Sequence, residues 1–354
     1  MSRNERNNAH EGTTVSGYVS WISGGRRRDF QARTQADNFP WDKSFQLRLI
    51  GPVLPIATIA LALLVCGKTT GKTLTENGDY IDIYQRFLQA SLAAVQGDKP
   101  SSVTNVEKPN HDPSSQPIWQ FSLDPYDVVR KQEYPTKEKI DDYDGIILTG
   151  SAASAYENVE WVNKLVAFVK DLVENRSHIK VIGICFGHQI IARAFGGECV
   201  PNGGRWEIGP TPLALTDLGQ RIFGVESLNI QAMHRDHVPL DRSPPGFDII
   251  AATEVSPNQA MVRFKRSTSQ ALDSESTAET RQELFGRIHV LTMQGHPEFT
   301  EPIVSSIVEA RSEAGVIDAE AAEDCVRRRF WRNDGVDVIG RVLWGVLGVQ
   351  RSEG

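Results

Sequence analysis

The chain has 354 residues, enough at roughly 150 per domain for two domains and a large core. With 40% hydrophobic and 23% charged residues, its composition is that of a globular chain and excludes a wholly disordered one. A net charge of −7 gives no electrostatic basis for binding nucleic acid or an anionic membrane. Four cysteines without a C-x-x-C pair exclude a disulfide scaffold and a zinc ribbon, and a reducing, cytoplasmic setting is expected.

In chain order, residues 1–48 are polar and carry one charge cluster, Arg26-Arg27-Arg28. They read as a disordered extension with no secretory apolar region. Residues 49–66 are the most apolar run. Gly51, Pro52 and Pro55 break its first third, so residues 56–66 read as a strand buried on both faces of a parallel sheet rather than as a membrane span. Further strands are predicted at 126–129, 145–148, 181–185, 247–252, 260–264 and 288–293. Helical periodicity lies at 79–94, 159–173, 188–195 and, as one long element, near 318–347. Polar stretches near 96–116 and 265–282 read as loop inserts. Alternating strands and helices predict an α/β domain over 56–346, with a mainly parallel central sheet flanked by helices.

Two segments imitate known sites and fall short. In Cys66-Gly-Lys-Thr-Thr-Gly-Lys-Thr73, cysteine stands where a phosphate-binding loop needs glycine. Glu76-Asn77-Gly78 also interrupts the helix that should open at once. His234-Arg-Asp-His237 offers two histidines and no third ligand. No metal or cofactor is expected.

The strongest chemical signal is Gly183-Ile184-Cys185-Phe186-Gly187 at the end of an apolar strand, with a helical pattern starting immediately. This is a nucleophile elbow with cysteine in the serine position. Flanking glycines permit a sharp turn, and the helix N-terminus favours the thiolate. A thiolate nucleophile needs a base. Gln294-Gly295-His296-Pro297-Glu298, also at a strand end, supplies His296, with Glu298 two residues on to orient the imidazole. Oxyanion donors are expected at the Phe186 N–H and in the glycine turn Thr149-Gly150-Ser151.

These segments resemble the class I, triad-type glutamine amidotransferases, in particular stand-alone fungal members similar to the glutaminase half of GMP synthase. The resemblance spans 56–346 and rests on G-I-C-F-G-H-Q, Q-G-H-P-E, I-I-L-T-G-S and Gly204-Arg-Trp-Glu-Ile-Gly209. It implies a flavodoxin-like fold and a Cys185, His296, Glu298 triad acting on a γ-glutamyl amide through a thioester. It also implies that Gln189 contacts the substrate. Residues 232–238 resemble the family's S-H-G-D-x-V loop, which makes Asp236 the candidate acceptor of the substrate α-amino group. The G-S turn in place of G-G-P is shared with plant γ-glutamyl peptidases. Two enzyme readings follow: a glutaminase releasing ammonia to a separate acceptor-activating partner, for instance in fungal secondary metabolite biosynthesis, or a γ-glutamyl peptidase acting on glutathione-like conjugates. A third, a non-catalytic binding module, is opposed by the complete Cys/His/Glu set.

Overall fold

The computed structural model describes residues 20–23, 26–29, 55–97, 117–265 and 279–350. The chain divides into two units, Met1–Gly51 and Pro52–Gly354. In the first, Ser20–Ser23 pairs antiparallel with Arg26–Asp29. Gly24 and Gly25 stand between them in sequence, a dipeptide that favours tight hairpins. The rest of the stretch expected to be an unstructured extension lies outside the described residues.

The second unit is built on a nine-stranded sheet. Its strands are β1 (Ile56–Val65), β2 (Ile118–Asp127), β3 (Gly145–Leu148), β4 (Lys180–Ile184) and β5 (Glu207–Leu215). They continue with β6 (Ser227–His234), β7 (Asp248–Ala252), β8 (Ala260–Phe264) and β9 (Ile288–Met293). The spatial order is β2-β1-β3-β4-β9-β8-β7-β5-β6. Neighbours from β2 to β9 pair in parallel and those from β9 to β6 antiparallel. Every strand but β8 and β5 therefore runs the same way, as the expected mainly parallel sheet requires.

The helices are α1 (Gly71–Asn77), α2 (Tyr80–Gln96), α3 (Glu160–Asn175), α4 (Phe186–Ala194) and α5 (Asp217–Phe223). After them come α6 (Arg281–Arg287), α7 (Glu301–Glu313), α8 (Ala319–Arg328) and α9 (Arg341–Val346). Helices cover both faces of the sheet. Alternation along β1 sends Leu61 and Leu63 into one core with Tyr84, Leu88 and Trp344. Ala62 and Leu64 enter the other core, with Val162, Leu165 and Ile190. Burial on both sides is the reason for the unbroken apolar run, since a parallel strand covered by helices has no solvent face. No helix among the described residues is long and apolar enough to cross a membrane.

Several elements differ from expectation. The strand placed at 126–129 is β2, from Ile118 to Asp127. As an edge strand paired on one side only, it alternates apolar Trp119, Phe121 and Leu123 with polar Gln120, Ser122 and Asp124, so it offers no continuous apolar run. Strands β5 and β6 were not among the expected elements; β5 carries Pro210 and Pro212, residues that sheets normally confine to edges. β5 meets β7 only at Leu215 and Ala214, so neither proline interrupts a ladder on that side. The helix that the Glu76-Asn77-Gly78 break was expected to prevent does open, as α1 at Gly71, but ends after seven residues at Gly78. α6 starts inside the expected 265–282 loop because Thr280 and Glu283 form a capping box; residues 98–116 and 266–278 lie outside the described residues. The single long helix near 318–347 is instead α8, a π-helical turn (Gly335–Gly340) and α9. Gly335 lies against the Pro297 backbone with no space for a Cβ, so chain packing overrides helical periodicity there.

Candidate active site

Three adjacent parallel strands, β3, β4 and β9, deliver the site at their carboxyl ends, the usual ligand crevice of an open α/β sheet. Their register fixes which residues meet. Leu148 pairs with Gly183 and Met293 with Ile184. The next residues of the chain, Thr149-Gly150, Cys185 and Gln294, therefore emerge side by side.

Cys185 is the N-cap of α4 and carries φ 52° and ψ −101°. A positive φ at a residue with a Cβ costs on the order of 1–3 kcal/mol and persists only where the surroundings enforce it. Here the Cys185 N–H donates to the Met293 carbonyl at 2.8 Å. The flanking glycines play a different part from the expected one, since neither takes a left-handed φ. They are needed for close approach. A Cβ on Gly183 would lie 2.8 Å from the Gly187 carbonyl, and one on Gly187 would lie 2.6 Å from the Leu148 carbonyl.

His296 follows β9 in a turn whose main-chain N–H donates to the Gln231 carbonyl at 2.7 Å. Its Nδ1 lies 2.8 Å from Glu298 Oε1, which leaves Nε2 as the nitrogen for Cys185, a hydrogen-bond partner of the ring. Phe299 stacks on the imidazole at 4.0 Å and 6°. All three residues of the Cys185-His296-Glu298 series are buried. Burial alone would lower the His296 pKa, but the charges of Glu298 and Cys185 outweigh it and raise the value to about 10. A thiol beside an imidazolium braced by a carboxylate can hold a thiolate–imidazolium pair, the reactive form of a cysteine nucleophile.

Gly150 faces this pair. A Cβ there would stand 2.7 Å from His296 Cε1 and 3.6 Å from Cys185 Cβ. The Thr149 hydroxyl accepts from the Cys66 N–H at 2.9 Å and donates to the Gly150 carbonyl at 3.0 Å. Because a peptide is planar, this sets the direction of the Ser151 N–H, one of the expected oxyanion donors. Phe186, whose N–H is another, is held by stacking on Trp161 at 5.4 Å.

The structure also joins Gln189 and Asp236. Gln189 Nε2 donates to the Asp236 carbonyl and to Gln294 Oε1, each at 3.0 Å. The Ser154 hydroxyl donates to Asp236 Oδ2 at 2.7 Å. Gln294 Nε2 in turn lies 3.6 Å from Cys185 Sγ. Gln294 and Ser154 were not singled out from sequence, although each belongs to a segment that was. Glu207 is a further buried member: it lies 3.5 Å from His234 Nε2 and accepts from Thr253 and Gln259. Within His234-Arg-Asp-His237, His234 and Asp236 make polar contacts inside the protein. No group of three or more potential metal ligands occurs among the described residues.

Fold and site together define an α/β protein in which a cysteine stands at a strand-to-helix elbow beside an imidazole–carboxylate pair. A family model described as glutamine amidotransferase class-I matches residues 122–302. A Schizosaccharomyces pombe protein named as glutamine amidotransferase-like is 33% identical over 252 residues, covering 71% of this chain and 84% of that one. Gamma-glutamyl peptidase 4 of Arabidopsis thaliana is 27% identical over 218 residues, covering 56% and 74%. A crystal structure of a Thermotoga maritima glutamine amidotransferase shares the fold, with a TM-score of 0.50 at 15% identity over 82% of this chain and 99% of that one. The chain belongs to the class I glutamine amidotransferase family.

Proposed function

We propose that the protein hydrolyses γ-glutamyl amides, with Cys185 as nucleophile, His296 as general acid and base, and Glu298 as the residue that orients His296. The observation that carries this reading is the strained Cys185 backbone, φ 52°, beside an imidazole held 2.8 Å from a buried carboxylate. Backbone strain of this kind clusters at active sites.

The Cys185 thiolate attacks the γ-carbonyl carbon, and the oxyanion forms against the N–H groups of Phe186 and the Gly150–Ser151 turn. The C–N bond breaks as the His296 imidazolium gives its proton to the departing amine, leaving a γ-glutamyl thioester on Sγ. Neutral His296 then takes a proton from water, hydroxide adds to the thioester, and the C–S bond breaks to release glutamate. The net reaction consumes one water and yields glutamate and an amine. Gln189, Asp236 and Ser154 form a polar cluster suited to the substrate's amino-acid head. With glutamine the amine is ammonia, available to a separate acceptor-activating partner; with a γ-glutamyl peptide it is an amino acid or peptide.

Incubation with glutamine or a γ-glutamyl peptide, followed by acid quench, is expected to leave a γ-glutamyl adduct on the Cys185 peptide, detectable by mass spectrometry. Turnover that survives Cys185→Ala would refute the assignment.

A further inference from the structure

A main-chain carbonyl can only accept a hydrogen bond, and one such carbonyl, that of Asp236, fixes the direction of two buried amides beside the nucleophile. The end of the Gln189 amide that meets it at 3.0 Å must be the nitrogen. The same Nε2 has a second hydrogen, which it donates at 3.0 Å to Gln294. Gln294 therefore receives it with Oε1. Its other end, Nε2, is left pointing at Cys185 Sγ, 3.6 Å away and within reach of an N–H···S bond. Turning Gln189 over would set its oxygen against the Asp236 carbonyl, and turning Gln294 over would set N–H against N–H. Both side chains are buried, so a misdirected amide would find little water to bond instead. The main chain of Gln294 is held as well, its N–H donating to the Gln259 carbonyl at 2.8 Å.

The sulfur addressed in this way is the reacting atom. Titratable and charged groups act on it from several elements: His296, braced by Glu298, after β9; Arg311 on α7; Tyr80 and Tyr84 on α2; and Cys199 beyond α4. Gln294 differs from all of these in being a neutral donor that keeps its proton at every pH. A hydrogen bond to a charged acceptor is roughly twice as strong as one to a neutral acceptor, so the Gln294 N–H favours the thiolate over the thiol. It meets the same charge again when the C–S bond of a thioester breaks and the electron pair returns to Sγ. Asp236 then acts through two groups at once. Its carboxylate is the candidate partner of the substrate's amino group, and its carbonyl aims the donor at the nucleophile.

We infer that Gln294 is a further catalytic residue, donating its amide N–H to the Cys185 thiolate, and that Gln189 is a positioning residue that aims it from the Asp236 carbonyl. The inference rests on Cys185 being the nucleophile, and its test needs no substrate. Full-length wild type, Gln294→Met, Gln189→Met and the double variant are treated with iodoacetamide over a range of pH, and the rate is read by mass spectrometry on the Cys185 peptide. Loss of a charge-assisted donor predicts that Gln294→Met raises the pH midpoint of alkylation by roughly one unit. An apolar side chain beside the sulfur would by itself disfavour the thiolate, so Gln189→Met, which keeps the Gln294 side chain, is the deciding variant. It frees that amide to turn and is expected to raise the midpoint by roughly half a unit. The double variant should go no further than Gln294→Met, because Gln189 acts only through Gln294. A wild-type midpoint in Gln189→Met, or a double variant in which the two shifts add, overturns the aiming of Gln294. A wild-type midpoint in Gln294→Met overturns the donor itself; should that variant not fold, Gln189→Met alone decides. Absence of all hydrolysis by the wild type would instead overturn the nucleophile assignment and leave the alkylation midpoints to decide the donor.

Discussion

Replacing Gly150 by alanine tests whether the space between the glycine turn and the imidazole belongs to the catalytic geometry. The new Cβ would stand 2.7 Å from His296 Cε1, about 0.7 Å inside the 3.4 Å at which ordinary contact begins. The imidazole has little freedom to yield. Glu298 holds Nδ1 at 2.8 Å, Phe299 stacks on the ring at 4.0 Å, and the His296 N–H is anchored on Gln231 at 2.7 Å. Most of the 0.7 Å must therefore appear as displacement of the ring from Cys185 or as lengthening of the bond to Glu298. Misplacing a reacting group by about 1 Å costs on the order of 10² in rate, so kcat/KM for a γ-glutamyl amide is expected to fall roughly 30- to 300-fold. The backbone of Gly150 does not need a left-handed φ, so the cost to stability is limited to overpacking against the ring, on the order of 1–3 kcal/mol, and Tm should fall by no more than about 10 °C. Initial rates and thermal melts on the same preparations separate the two effects. A variant that melts with the wild type and keeps its rate within about threefold would refute the reasoning.

Other expectations follow from the same geometry. Glu298→Gln removes the charge that, with Cys185, outweighs burial and raises His296 to about 10. The imidazole pKa, read by NMR, should drop, and kcat should fall by roughly 10²–10⁴, less than for His296→Ala; a larger loss than His296→Ala would contradict an orienting role. Burial lowers His188 to about 3 and His234 and His289 to about 4. Because the unfolded chain binds these protons more readily, their stabilisation is full above about pH 6.5 and is lost as the pH falls toward 4. The slope is at most about 1.4 kcal/mol per pH unit for each histidine. Above neutrality His296 contributes stability that fades as the pH rises toward 10, while Lys180, lowered by burial to about 7, gains stability over the same span. Tm should therefore fall steeply below about pH 6 and change little on the alkaline side; an unchanged Tm down to about pH 4 would contradict this. Burial raises the Cys66 thiol to about 12 and also raises Cys199 and Cys325. Iodoacetamide near neutral pH should accordingly label Cys185 first, and equal labelling of Cys66 or Cys199 by mass spectrometry would argue against a distinct reactivity there.

Much of the site was legible in the sequence because its two halves are local. A strand ending in Gly183-Ile184-Cys185-Phe186-Gly187 with a helix behind it, and a His296 followed two residues later by Glu298, each specify their geometry within a few residues. The glycine turn at 149–151 was legible for the same reason. The fold class followed from alternation of apolar runs with helical periodicity, and β1, buried on both faces, declared itself by an unbroken run. Legibility ended at antiparallel β5 and β6, the first of which carries two prolines in a ladder open on one side, and at Gly335, where contact with the Pro297 backbone interrupts a helical pattern.

By itself, then, the sequence determined the elbow, the imidazole–carboxylate pair and the alternation that folds them into one sheet, because periodicity and short-range turn chemistry are encoded over a few residues. Only the tertiary structure decided which distant groups meet. The β4–β9 register brings Gln294 within 3.6 Å of Cys185 Sγ. Ser154 reaches Asp236 across 82 positions of sequence, and α7 and the β5–β6 ladder bring Arg311 and Arg235 to one indole. Such contacts arise from strand order and helix packing, and no local pattern of residue types carries that information.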